Sequence, residues 1–141
     1  MSGAHVRRCA LVVTSVVFLA GCTSFQRISV ETDPVGASVY LQRRGEIEVH
    51  GRVAGVVGGV GLESFEEDFI FLGNAPIDYE FERDVREVSV QSPEVGADVT
   101  RHYREGTIRV ERTGYETVVR VVRFSGNAIV LVIDLLPVPD P

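Results

Sequence analysis

The chain has 141 residues, 24% of them charged, and a formal net charge of −6. An acidic chain of this kind is a poor nucleic-acid binder, because contact with phosphates requires a surplus of Lys and Arg. Its 14 basic residues are all Arg, which excludes a P-loop lysine, a lysine Schiff base and a lysine general base.

The N-terminus begins with a short apolar run. Arg7 and Arg8 precede the mostly apolar residues 9–20. A helix that crosses a bilayer needs roughly 20 apolar residues, so this run is too short to span one comfortably. The pattern of positive start, apolar run and small residues instead predicts a secretory signal peptide over residues 1–21.

The run ends in Leu19, Ala20, Gly21 and Cys22, which resembles the lipobox of bacterial lipoproteins. The resemblance implies that a signal peptidase recognises Leu19, Ala20 and Gly21 and cuts before Cys22. It also implies that Cys22 carries diacylglycerol and acyl chains such as palmitate, which makes membrane lipid a partner. Thr23 after the Cys favours the outer membrane facing the periplasm, with the cell surface as an alternative. An ordinary signal peptide with a chance Cys is the other interpretation.

The chain beyond the signal has room for one domain with a core. Because Cys9 would leave with the signal and Cys22 would carry lipid, no disulfide is expected. We expect a lipidated N-terminus and tether over 22–27, a β domain over 28–137 and a tail over 138–141.

Alternation of apolar and polar residues over 28–32 predicts a half-buried strand, and 37–42 repeats the pattern. Pro34 and Gly36 between them are turn residues, because Pro fixes φ and Gly accepts positive φ. This stretch therefore predicts a strand, a turn and a second strand.

Residues 28–41 resemble the opening of a PEGA domain, with Pro34, Val35, Gly36 and Ala37 in place of the Pro-Glu-Gly-Ala motif. Two later segments resemble motifs of the same family, and they occur in the same order along the chain. Residues 72–77 resemble its Gly-x-Thr-Pro turn, and 106–115 resemble the strand before its Gly-Tyr corner. The resemblance implies a small β-rich module with interruptions near 43–70 and 83–105, and it supplies no catalytic residues.

The first interruption contains a Gly-rich stretch at 51–62. Its spacing matches no phosphate-binding motif, so we expect a connector or a helix packed on the sheet. An apolar loop that enters the membrane or a partner is the alternative. The sequence pattern also allows one short helix near 52–68. The carboxylates of 63–68 lack the spacing of a calcium loop, which favours a solvated acidic face.

Four carboxylates, Asp78, Glu80, Glu82 and Asp84, alternate with apolar residues. At a period of two they would share one strand face, where an acidic row discourages pairing at a sheet edge. A carboxylate pair for glycoside hydrolysis is the alternative. Residues 88–99 repeat the pattern of 28–39 at an offset of 60, so we favour reuse of one strand-turn-strand unit. Convergence on the same hairpin chemistry is the alternative.

Arg101, His102, Tyr103 and Arg104 form the one basic and aromatic cluster outside the signal. Guanidinium groups and a ring face can bind a glycan or an acidic partner. An ordinary polar loop is the alternative. Further along, 128–133 is a continuous apolar run bounded by turn residues, which predicts a central strand covered on both faces.

Together these patterns predict a mostly β fold: a small β-sandwich or open barrel of seven to nine short strands. The function we expect is that of a non-catalytic envelope lipoprotein, with no catalytic residues, cofactor or metal site. Expected partners are membrane lipid through Cys22 and, further, envelope proteins or peptidoglycan. The alternative is an envelope enzyme or glycan receptor that uses 78–84 or 101–104.

Overall fold

The computed structural model describes the backbone of residues 24–53, 56–90 and 95–141. It describes the side chains of the same residues, except those in 52–60 and 88–97. These residues form nine strands and no helix, so the predicted mostly β fold is confirmed. The strands are β1 (Phe25–Asp33), β2 (Ser38–Val53), β3 (Val56–Glu66), β4 (Ile70–Asn74), β5 (Ile77–Glu82), β6 (Asp84–Val90), β7 (Val95–Glu111), β8 (Val118–Arg123) and β9 (Ile129–Asp134).

Two sheets make up the fold. The three-stranded sheet has the order β5-β1-β9, with β5 antiparallel and β9 parallel to β1. The six-stranded sheet has the order β3-β2-β7-β6, and it is joined by β4 on β2 and β8 on β7. β2 and β7 are much longer than the predicted short strands, with 16 and 17 residues.

The three-stranded sheet packs on only one part of the six-stranded sheet. We call this sandwich the body: β1, β4, β5, β8 and β9 with 38–42 of β2 and 106–111 of β7. Apolar side chains from both sheets fill it, because alternate residues of each strand point inward. The most deeply buried are Ile28, Val30, Val39, Leu41, Ile108 and Val110, each 0% exposed.

The rest of the six-stranded sheet extends beyond the sandwich. We call it the arm: β3, β6, 45–53 of β2 and 95–103 of β7. No second sheet covers the described part of the arm, and its apolar side chains Ile47, Val49, Val85 and Val99 are only half-buried. The two predicted interruptions, 43–70 and 83–105, thus pair with each other across β2 and β7.

A joint connects the body to the arm. The register of β2 against β7 shifts between Arg44 and Gly45. At the same place the second neighbour of β7 changes: β6 pairs with β7 up to His102, and β8 pairs with it from Glu105 onward. Arg43 lies over the rings of Tyr103 at 4.3 Å and Phe81 at 5.2 Å. Its Nε is 2.8 Å from Oε2 of Glu67, whose other oxygen accepts the Tyr103 hydroxyl at 2.8 Å. The Arg43 guanidinium, the two rings and the Glu67 carboxylate therefore cover this end of the core.

Two sequence predictions about the fold were wrong. The described residues within 52–68 form strand β3 and the end of β2 rather than a helix, because the Gly-rich stretch pairs with β2. Residues 129–134 form an edge strand rather than a central one. Val130 and Val132 on β9 are 64% and 70% exposed, since none of the described elements packs on their side of the sheet.

The predicted turns are confirmed. Gly36, Gly73, Gly114 and Gly126 all have positive φ, between 83° and 139°. The suggested repeat is not a structural one, however. Residues 28–39 cross from one sheet to the other, whereas the strand parts of 88–99 pair with each other within the arm.

Candidate functional site

The structure brings several ionisable side chains together on one face of the arm. Glu48 and His50 lie on β2, His102 lies on β7 and Asp84 begins β6. Asp84 is directly opposite His102 in the β6–β7 register. Glu48 and His50 share a face because they are two residues apart on one strand. We call these four residues the histidine network.

His102 links three strands through its two ring nitrogens. Nδ1 lies 2.6 Å from Oδ1 of Asp84, and Nε2 lies 3.1 Å from Oε2 of Glu48. The other carboxylate oxygen of Glu48 is 2.5 Å from Nε2 of His50. The Ser24 hydroxyl donates to Oδ2 of Asp84 at 2.6 Å. The network therefore ties β2, β6 and β7 to the start of the described chain.

The contacts shift the pKa values of three members. Hydrogen bonding to Asp84 raises the pKa of His102 above its ordinary 6.5; partial burial opposes the shift and Glu48 adds to it. Hydrogen bonds from His102 and then His50 lower the pKa of Glu48. Burial acts to raise the pKa of Asp84, but hydrogen bonds from Ser24 and His102 outweigh it, so that the pKa falls. Each shift favours the charged form, which suits an imidazolium between two carboxylates.

When its ring is protonated, His102 is a cationic link between strands. Both ring nitrogens face carboxylate oxygens, so the protonated ring donates on both sides and keeps no lone pair for a substrate. Ser24 donates to Asp84, and the ring nitrogens of His102 are hydrogen-bonded to Asp84 and Glu48 rather than to Ser24, which differs from the order of a Ser-His-Asp triad. Among the described residues, no group of three or more His, Cys, Asp or Glu side chains is placed to hold a metal ion.

A groove of about 400 Å³ lies at the joint. Its polar lining comes from β2, β3 and β7: Arg44, Glu46, Ser64, Glu66, Arg104 and Glu105. Arg44 is occupied, because its Nε is 2.6 Å from Oε1 of Glu105. Arg104 and Glu46 are exposed and form no ion pair with the other described residues. The groove thus offers one cation and one carboxylate to a partner.

The predicted cluster 101–104 does not form a single surface. It lies in a strand rather than a loop, so Arg101 and Tyr103 point to one face and His102 to the other. Tyr103 is only 5% exposed and belongs to the joint. Burial, followed by its hydrogen bond to Glu67, raises the pKa of Tyr103. Arg104 lies at the register shift and reaches the groove.

The predicted acidic row is divided between the two sheets. Asp78, Glu80 and Glu82 point off the outer face of edge strand β5, as predicted for an edge-protecting row. Asp84 follows a break at Arg83 and belongs to the arm, where it contacts His102. The row and the cluster therefore meet through this Asp–His pair, while Asp78 and Arg104 line different grooves.

The predicted acidic face at 63–68 needs one correction. Glu67 is not simply solvated, because it is half-buried and bound to Arg43 and Tyr103 in the joint. The other predicted site residues, Leu19, Ala20, Gly21 and Cys22, lie outside the described residues. None of the described segments is a helix that could cross a membrane.

No protein-family model, no curated protein and no solved structure matches this chain. Sequence reasoning identified His102 and Asp84 but placed them in separate clusters, and it missed Glu48 and His50. Glu48 meets His102, 54 residues away, only because β2 and β7 pair in a particular register. Local periodicity in the sequence does not reveal that register.

Proposed function

We propose that this chain is a membrane-anchored bacterial envelope lipoprotein whose PEGA-like β domain has a non-catalytic structural or binding role. The lipobox resemblance of Leu19, Ala20, Gly21 and Cys22 supports the anchor. The outer membrane facing the periplasm is its proposed location, and the order of the body's motifs supports the family.

The attachment of Ser24 is the observation that carries this proposal. Its carbonyl accepts a hydrogen bond from the Arg83 amide at 2.8 Å, and its hydroxyl donates to Asp84 at 2.6 Å. β1 begins at the next residue, within the predicted tether. Lipid on Cys22 would therefore hold the joint, rather than the far end of the body, close to the membrane surface. Two or more acyl chains suffice for such stable anchoring.

The groove at the joint is the surface we propose for binding. A guanidinium such as Arg104 binds carboxylates through two parallel hydrogen bonds, and the carboxylate of Glu46 can accept from a cationic group. A polar partner with both charges, such as an envelope protein or the peptide part of peptidoglycan, fits this lining. A receptor for another polar ligand would use the same groove.

An envelope enzyme receives less support. Asp78, Glu80 and Glu82 lie on a different sheet from the 101–104 cluster, and both nitrogens of His102 face carboxylates. Hydrolysis by a carboxylate pair requires two carboxyl groups on either side of one bond. Asp78, Glu80 and Glu82 instead stand on an outer sheet face.

The anchor is tested by replacing Cys22 with Ser. We expect this variant to leave the membrane fraction and to lose incorporation of radiolabelled palmitate. The matched control is Cys9→Ser, which should keep both, because Cys9 leaves with the signal. Unchanged membrane association of the Cys22→Ser variant, with no label on the native protein, would refute the anchor.

The binding role is tested by pull-down of the anchored protein with envelope proteins and purified peptidoglycan. Arg104→Glu should abolish retention of the bound component, since it removes the free cation of the groove. Arg120→Glu reverses the charge of another exposed arginine, on β8, and should not change retention. Equal retention by both variants, or no retention by the native protein, would contradict a binding role for the groove.

A further inference from the structure

β9 leaves one side of the three-stranded sheet open. It pairs with β1 on one side, and on the other side no described residue pairs with Ile129–Asp134. That edge is covered only beyond the strand, where the Glu116 amide donates to the Leu136 carbonyl and the Val138 amide donates to the Gly114 carbonyl. Val130 and Val132 project from its outer face with 64% and 70% of their surface exposed. An open strand edge presents unpaired backbone N–H and C=O groups, which favour the addition of another strand.

The other edges in the described parts of the chain are protected against such pairing. β3 and β4 each have a shifted register against β2, and such irregularities hinder addition of another strand. The remaining edge strands and β3 carry charged side chains: Glu66 on β3, Asp78 and Glu80 on β5, Arg86 on β6, and Arg120 and Arg123 on β8. β9 has neither device, because 129–133 is uncharged and its register with β1 is regular.

We propose that β9 is a self-association edge, at which two copies of this chain pair antiparallel about a two-fold axis. A second copy fits because the strand is complementary to itself. With Leu131 of each copy opposite the other, Val130 faces Val132 of the second copy. The outer valines then cover one another and the inner row continues with Ile129 facing Ile133. The three-stranded sheets of the two copies would then form one continuous sheet of six strands. The interface is isologous, so it joins two copies and no more.

Charge is compatible with this pairing. The charged residue of β9, Asp134, lies at the end of the strand and would face the uncharged Ala128 of the second copy, so no like charges oppose each other. The acidic row on β5 lies at the far edge of each three-stranded sheet. Pairing through six residues is small beside the roughly 1,200–2,000 Å² of stable interfaces. We therefore expect a weak dimer that depends on concentration.

The test is sedimentation equilibrium of the full chain across a dilution series, in a detergent that covers its apolar N-terminal run. Val130→Lys and, separately, Val132→Glu should each weaken dimerisation about tenfold or more, because each places a charge against an apolar partner. Val121→Lys on β8 is the matched control, since Val121 is 61% exposed on a different edge. It should leave dimerisation within about twofold of native.

The double variant Val130→Lys/Val132→Glu tests the register. In the proposed pairing each introduced lysine faces an introduced glutamate of the other copy, so dimerisation should recover toward the native level. Circular dichroism establishes that each variant is folded, and the two single variants test the edge independently. A native chain that stays monomeric throughout the series, an equal effect of Val121→Lys, or a double variant weaker than both singles would overturn the proposal.

Discussion

The body and the arm are built from the same two long strands but stabilised in different ways. In the body, inward residues of β2 and β7 such as Leu41 and Ile108 are fully buried under the three-stranded sheet. In the arm, Ile47 and Val49 of β2 are half-buried, and charged side chains form a hydrogen-bonded network on the other face. Strand pairing alone thus gives the arm its shape, whereas burial gives the body most of its stability.

The largest expected effect comes from the core of the body. Ile108→Ala removes a side chain that is 0% exposed, so we expect unfolding to become easier by about 2–5 kcal/mol. Ile47→Ala makes the same change in the arm, where it should cost less than about 1.5 kcal/mol, because the side chain is only partly removed from water. Chemical denaturation of both variants provides the measurement. Similar costs for the two would show that the arm has a core of its own.

The next largest effect is expected at the joint. A Cβ on Gly45 would lie 1.8 Å from the carbonyl oxygen of His102, so the two strands would have to separate. We expect Gly45→Ala to destabilise the protein by about 1–3 kcal/mol or more. Gly61→Ala on β3 is the control, since a Cβ there meets no atom within 4 Å. Native-state hydrogen exchange would show whether Gly45→Ala loosens the arm first; faster exchange in the body alone would contradict the joint's position.

Much of the body could be predicted from the sequence, because its signals are local. Alternation identified β1 and β5, and Gly36 marked a turn that requires positive φ. The failure at β9 has a physical reason. A run of apolar β-branched residues shows that a strand forms, but it does not show which neighbour covers each face. Val130 and Val132 are exposed because no described element packs on the outer face of the three-stranded sheet, whereas Ile133 of the same strand points inward and is buried.

The arm and the site could not be predicted in the same way. Both depend on the register of β2 against β7, which pairs residues more than 50 positions apart. The Gly-rich stretch shows no clear periodicity, and only its pairing with β2 makes it a strand. His102 looked isolated because its partners Glu48 and Asp84 lie on two other strands.

The smallest expected effect is a pH dependence that comes from the arm. The pKa of His102 is raised above 6.5, so its stabilising contribution is present below pH 6.5 and is lost as the pH rises through the raised value. The pKa values of Glu48 and Asp84 are lowered from 4.5 and 3.8, so their contributions are present above those values and are lost only in more acidic solution. The network should therefore stabilise the fold most between these limits.

His102→Gln tests this prediction, because glutamine keeps a donor but cannot carry the charge. At pH 6 the variant should be less stable by about 1 kcal/mol, and the difference from the native protein should shrink as the pH rises above 6.5. His50→Gln is the control. The stability of this variant should still fall as the pH rises above 6.5, because His102 still lies between Asp84 and Glu48. Denaturation curves across this pH range give the measurement, and a constant difference between His102→Gln and native would mean that the imidazolium does not stabilise the arm.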